Sequence, residues 1–85
     1  MARKSNKIST RWIRETRNDF VEITQAISAD TNETVWYVYT NLNWEKLPVD
    51  FQVQIPETDQ AGLEKLNNAL VKWADIEGFK LVLKI

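Results

Sequence analysis

VDFQVQIPETDQAGLEKLNNALVKWADIEGFKLVLKI, running from Val49 to Ile85, is the stretch whose reading decides the fold. At its start Val49, Phe51, Val53 and Ile55 alternate with Asp50, Gln52 and Gln54, the period of two expected of a half-buried strand. Pro48 and Pro56 bracket that run, and since proline cannot donate to a ladder they set its limits at 49–55. From Asp59 to Ile76 the period changes. Gly62, Leu63, Leu66, Ala69, Leu70, Trp73 and Ile76 fall within one arc of about 140° on a helical wheel, predicting a helix over 59–76 buried on that side. Thr58 or Asp59 can cap its start, and Gly78 supplies the left-handed stop. Gly62 costs about 1 kcal/mol against alanine inside a helix, so its place on the buried arc predicts a close approach of helix to sheet. After Gly78, Phe79, Leu81, Leu83 and Ile85 form a second alternating face. If the two flanking strands lie parallel in one sheet, the connection through the helix is right-handed.

Working back from Val49, Val35 to Leu42 is the richest run of β-formers, with Trp36 and Val38 on one face and Val35, Tyr37 and Tyr39 on the other. Phe20 to Ser28 reads as a strand with Val21, Ile23 and Ile27 on one side. The polar turn at Asp30–Glu33 makes the two a hairpin with a loop of about six residues. Residues 8–17 fit a short helix capped by Ser9 better than a strand, because Arg11, Ile13 and Glu15 alternate poorly with Trp12, Arg14 and Thr16. A single longer helical stripe through Ile8, Trp12, Thr16, Phe20, Ile23 and Ile27 competes with this division. The β-branched residues between Val21 and Thr31 favour the strand. Residues 1–7, basic and almost without apolar content, read as a flexible tail ahead of one domain spanning 8–85.

The expectation is a single small α+β domain of order (α)-β-β-β-α-β. A mainly antiparallel sheet of about four strands would carry the 59–76 helix on one face. Its inward residues would be Val21, Ile23, Trp36, Val38, Val49, Phe51, Val53, Ile55, Phe79, Leu81, Leu83 and Ile85.

Composition narrows the chemistry. Among 85 residues there is no cysteine and no histidine. Thiolate catalysis, disulfides and cysteine-ligated zinc are therefore excluded, and with them the commonest general base and metal ligand. The carboxylate pairs Glu57/Asp59 and Asp75/Glu77 flank the two ends of the helix and do not converge from facing elements. Asp50, Gln52 and Gln54 lack the nearby lysine expected of a nuclease-like metal strand. No glycine-rich loop precedes the helix, whose first turn is acidic, so a phosphate cradle is not expected there. No catalytic residue, metal or cofactor is assigned, and the protein is expected not to be an enzyme. Without an apolar run long enough for a signal or a membrane span, the expected location is the cytoplasm and no membrane partner is expected.

Charge is uneven although the chain nets −1. Arg3, Lys4, Lys7, Arg11, Arg14 and Arg17 stand against Glu15 in the first seventeen residues, while the remainder is acidic. That basic segment, interleaved with Trp12, is the candidate contact for nucleic acid or another anionic partner. The order helix, three strands, helix is similar in outline to the double-stranded-RNA-binding fold. That fold's second helix opens with a lysine-rich clamp, whereas this one opens with Asp59 and Glu64, and the acidic remainder would repel a duplex.

Protein binding has the stronger sequence support. Of the 4 tryptophans, Trp36 and Trp73 fall on faces expected to be buried, while Trp12 and Trp44 lie where periodicity does not demand burial. Tyr37 and Tyr39 fall on the sheet face away from the helix. Trp12, Tyr37, Tyr39 and Trp44 are therefore the candidate partner-binding residues, since exposed Trp, Tyr and Arg are the types that anchor interfaces. The expected function is a small protein-binding module, an inhibitor, regulator or accessory subunit of bacterial or phage type. Homodimerisation through the open face or an edge strand is compatible with it.

Overall fold

The computed structural model describes residues 3–84, with side chains described at residues 8–15 and 17–83. Within these residues the elements are β1 (Arg3–Arg14), β2 (Asp19–Ile27), β3 (Thr34–Thr40), β4 (Gln54–Pro56), α1 (Gln60–Glu77) and β5 (Lys80–Lys84). The strands form one sheet in the order β4-β3-β2-β1-β5, and every neighbouring pair is antiparallel. The α+β class and the helix-on-sheet arrangement agree with the sequence reading; the sheet has five strands where four were expected.

The hairpin of β2 and β3 forms as anticipated, in the register Val21↔Thr40 through Ile27↔Thr34. Its loop closes with Asn32 in the left-handed region (φ 58), where asparagine is tolerated because its short side chain bonds locally. Val21, Ile23, Trp36 and Val38 face α1 and are all buried. The helix also starts and stops where its cap residues predict. Asp59 accepts the Gly62 N–H at 2.9 Å. At the other end Gly78 sits at φ 82, and the Phe79 and Gly78 N–H groups return to the Ala74 and Asp75 carbonyls at 2.8 and 3.3 Å. That is a Schellman stop.

Four expectations change. The first concerns residues 8–17, which form no helix: β1 runs to Arg14 and a 3-10 turn follows at Glu15–Arg17. The competing long helix through 8–28 is equally absent, and with it the helix-first outline of the RNA-binding fold. Thr10 and Trp12 point at α1 while Arg11 and Ile13 point away, so the strand does alternate. Weighed from Arg11 to Thr16 alone, the alternation is hidden, because the second inward residue is Thr10, whose buried hydroxyl donates to Asn67 Oδ1 at 2.7 Å. Pairing on both sides, to β2 and β5, outweighs a weak local helix preference. Backbone pairing of Arg3 with Ile27 and Lys4 with Ala26 draws 3–7 into the same strand. Met1 and Ala2 of the expected tail lie outside the described residues.

The second change is in the stretch 49–55. Only Gln54–Pro56 pairs, and Val49–Phe51 makes a 3-10 turn, leaving Val49 76% and Val53 40% exposed although Phe51 and Ile55 are buried. Third, β4 and β5 do lie parallel in one sheet, the case the sequence left conditional, but at its opposite edges, so that α1 crosses three strands between them. On its edge β5 leaves Leu81 and Leu83 about half exposed; Ile85 lies outside the described residues. Fourth, the buried stripe of α1 runs through Leu66, Leu70 and Ala74, with Leu63 and Trp73 packed beside it, while Ile76 is exposed. Gly62 follows from the cap and not from a tight helix–sheet contact, since a Cβ there would strike the Asp59 carboxylate.

Core and edge are joined by aromatic packing. Phe51 meets Trp73 edge-on at 5.8 Å, and Trp73 stacks on Phe79 at 5.4 Å. This ring column ties the 3-10 turn at one edge of the sheet to the start of β5 at the other, with each pair adding to the burial of its apolar area.

Candidate interaction surface

The four candidate contact residues separate in the fold. Trp12 is 2% exposed and belongs to the core beneath α1. Its assignment as a surface contact is corrected: as an inward residue of a strand paired on both sides it can reach no partner. Tyr37, Tyr39 and Trp44 stay near the surface and come together at one edge of the sheet.

Tyr37 and Tyr39 are two apart on β3 and so share the face away from α1. Their rings meet edge-on at 6.4 Å, and Phe20 from β2 packs against Tyr39 at 5.6 Å. Trp44 opens a 3-10 turn, Trp44–Lys46, capped by the Asn43 side chain, which accepts the Glu45 N–H at 3.1 Å. Gln52 Nε2 donates to the Trp44 carbonyl at 3.3 Å and braces this turn against the chain entering β4. The result is a cleft of about 360 Å³ lined by Tyr37, Val38, Trp44, Phe51 and the run Gln52–Gln54. Trp44 is 43% and Tyr39 39% exposed at this edge. The floor of the cleft includes Phe51, which packs edge-on against Trp73.

Burial is the main cause that raises the Tyr37 hydroxyl above the usual tyrosine range, with Tyr39 and Glu22 adding to it. The hydroxyl therefore stays protonated and available as a donor at the cleft through neutral pH. Besides the Tyr37 hydroxyl and the Trp44 indole, the lining carries apolar groups and the amides of Gln52 and Gln54. Such a lining can hold apolar and backbone-like groups by contact and hydrogen bonding, but it has no nucleophile or general base.

The face away from α1 is not open along its whole length, as one helix on a flat sheet would have left it. Glu22, Thr24, Ala26 and Val35, all on that face, are buried. Register shifts at Lys4/Ile8 and Ile8/Thr10 bend β1 at this end of the sheet. Tyr39 and Trp44 are exposed at one edge of the sheet, and Leu81, Val82 and Leu83 at the other.

The basic segment is also resolved into separate roles. Arg11 pairs with the buried Glu22 at 3.4 Å and lies over the Phe20 ring at 4.8 Å. Arg14 donates to Asp19 Oδ2 through Nη2 at 2.7 Å and Nε at 3.2 Å. It also donates to the Glu77 carbonyl at 3.0 Å and stacks on Phe79 at 4.6 Å. Both guanidinium groups are thus engaged within the chain. Arg17 is exposed at the end of the 3-10 turn. The side chains of Arg3, Lys4 and Lys7 lie outside the described residues. What sequence reasoning missed is the part played by Phe51, Gln52, Val53 and Gln54 in the cleft. It had placed them in a regular strand, and only the break in β4 turns them into a wall.

Among the described residues no group of three or more acidic side chains is placed to hold a metal, and no helix is long and apolar enough to cross a membrane. The chain matches no protein-family model, and no curated protein or solved structure is significantly similar to it.

Proposed function

We propose that this chain is a non-enzymatic protein-binding module that docks its partner at the cleft between β3 and residues 44–54. Tyr37, Tyr39 and Trp44 act as the anchors. The observation carrying this reading is that Tyr37 and Trp44, from two separate segments, line one cleft over Phe51, with the half-exposed Tyr39 packed against Tyr37 beside it. Large aromatic groups around a desolvatable pocket supply most of the binding energy at protein interfaces, and a good anchor contributes about 2 kcal/mol or more. The same surface suits an inhibitor, a regulator or an accessory subunit, which bind by shape and have no need of reactive groups. A second copy of the chain is one protein partner compatible with it.

The intramolecular engagement of Arg11 and Arg14 supports a protein partner over a nucleic acid, because a phosphate would have to displace Glu22 or Asp19 from them. Capture on the immobilised full chain, followed by titration of the captured protein, tests the reading. Trp44→Ala and Tyr39→Ala are each expected to weaken binding by about thirtyfold, the equivalent of about 2 kcal/mol. Arg17→Ala should leave it within about twofold, as a rim charge does. If both aromatic variants bind as the parent does, the cleft is not the contact. Binding of mixed DNA or RNA that falls steeply with salt and is lost with Arg17→Ala would point instead to the basic segment.

A further inference from the structure

We propose that residues Val49–Val53 are a strap able to zip onto β3, lengthening β4 and closing the cleft. The ladder between β3 and β4 pairs Val35↔Pro56, Trp36↔Ile55 and Tyr37↔Gln54, where it stops. Continued without a shift, the same register sets Val38 opposite Val53, Tyr39 opposite Gln52 and Thr40 opposite Phe51. Trp36 and Val38 face α1, so partners in register put Ile55, Val53 and Phe51 on that face as well. This is the face that the alternation of the stretch requires: Val53 is apolar between the glutamines Gln52 and Gln54, yet it is 40% exposed.

What holds the strap in its present form is its own turn, with the Gln52 Nε2 bond to the Trp44 carbonyl and the Phe51–Trp73 contact beside it. The 3-10 turn rests on Phe51 N–H to the Pro48 carbonyl and Gln52 N–H to the Val49 carbonyl, both at 3.0 Å. Lengthening exchanges these for ladder bonds to a strand that already extends to Thr40. Phe51 and Ile55 face the core in both arrangements. Pairing as far as Thr40↔Phe51 leaves residues 41–50 as the connection, so Leu47, buried at 5%, keeps its place. Pro48 lies within that connection, where no ladder donor is needed. Since Gln52, Val53 and Gln54 form one wall of the cleft and Tyr37 and Val38 the other, the lengthened strand and an occupied cleft exclude one another. That gating consequence rests on the proposed function; the lengthening does not.

The test uses the absence of cysteine in the chain. In the lengthened ladder Tyr39 and Gln52 are directly opposite, with Cα atoms about 4.5–5.5 Å apart, a span a disulfide bridges. The full-length variant Tyr39→Cys/Gln52→Cys is oxidised with glutathione beside Tyr37→Cys/Gln54→Cys, whose positions already pair. The first pair is expected to close at a rate within about tenfold of the second. On closure, the Cα chemical shifts of Val49–Phe51 should move from the helical to the extended range. Slower closure, or closure with the turn shifts retained, overturns the proposal. If the first variant does not fold, saturation-transfer exchange experiments on the unmodified chain decide. A second population of Val49–Gln52 with extended shifts supports the strap, and a single population overturns it.

Discussion

Arg14 joins three parts of the molecule, and its removal is the sharpest test of how the basic segment is used. Arg14→Ala deletes two hydrogen bonds to Asp19, one to the Glu77 carbonyl at the end of α1, and the guanidinium stacked on Phe79. The Arg14 and Asp19 side chains are only 22% and 16% exposed, so this is not a freely hydrated surface pair. A hydrogen bond to a charged group contributes about 1.5–3 kcal/mol. Stacking over a ring adds about 0.5–1 kcal/mol, and a cation at a helix C-terminus about 0.3–1 kcal/mol. These contributions overlap in one side chain and do not add. With residual solvation allowed for, the expected loss is about 2–3 kcal/mol. For a domain of this size that lowers Tm by roughly 10–20 °C. Urea unfolding of the parent, Arg14→Ala, Asp19→Ala and the double variant measures it. The cycle should give a coupling of about 1–2 kcal/mol. A further variant, Arg14→Lys, should recover less than half of the loss, because lysine keeps the charge without the fork that reaches Asp19 and Glu77 together. A cost below about 0.5 kcal/mol for Arg14→Ala, the value of an ordinary exposed pair, would refute the reasoning. It would return Arg14 to the pool of side chains available for phosphate.

Other substitutions probe the remaining elements. Trp12→Ala should cost about 3–5 kcal/mol as a core truncation, while Trp44→Ala should cost less than about 1 kcal/mol and act on partner binding instead; urea midpoints of the two variants separate the roles. Gly62→Ala should be close to neutral, since a gain of about 1 kcal/mol in helix propensity is offset by displacement of the Asp59 cap. In the Asp59→Ala background the same change should stabilise by about 1 kcal/mol, and equal effects in both backgrounds would remove the cap as the reason for glycine. Tyr37 has its pKa raised in the folded state, so its contribution is fully present below the ordinary tyrosine pKa of 10.0 and is lost as pH rises through the folded value. Tyr37→Phe should therefore flatten the fall in stability above about pH 10, and an unchanged alkaline limb would exclude burial of this hydroxyl.

The chain's local signals determined a good part of this structure. A run of β-formers around a polar turn gave the β2–β3 hairpin, and an aspartate cap and a glycine stop gave the limits of α1. The lack of cysteine and histidine removed whole classes of chemistry. These features are set by residues close in sequence, where spacing and side-chain type act directly on the backbone. Tertiary structure decided the rest. Whether Ile8–Arg14 became helix or strand depended on β2 and β5 offering hydrogen bonds on both sides. Trp12 became core through that placement, although Arg11 stands beside it in sequence. Arg11 and Arg14, alike in sequence with any solvated arginine, were claimed by Glu22, Asp19 and two aromatic rings brought up from elsewhere in the chain. The alternation at 49–55 is plain in the sequence, but how many of its residues pair was decided by the 3-10 turn at Val49–Phe51. That turn starts the ladder late, at Gln54. The cleft exists because of that late start: it is made by a pairing that fails to form, and no local periodicity can report on a partner strand's absence.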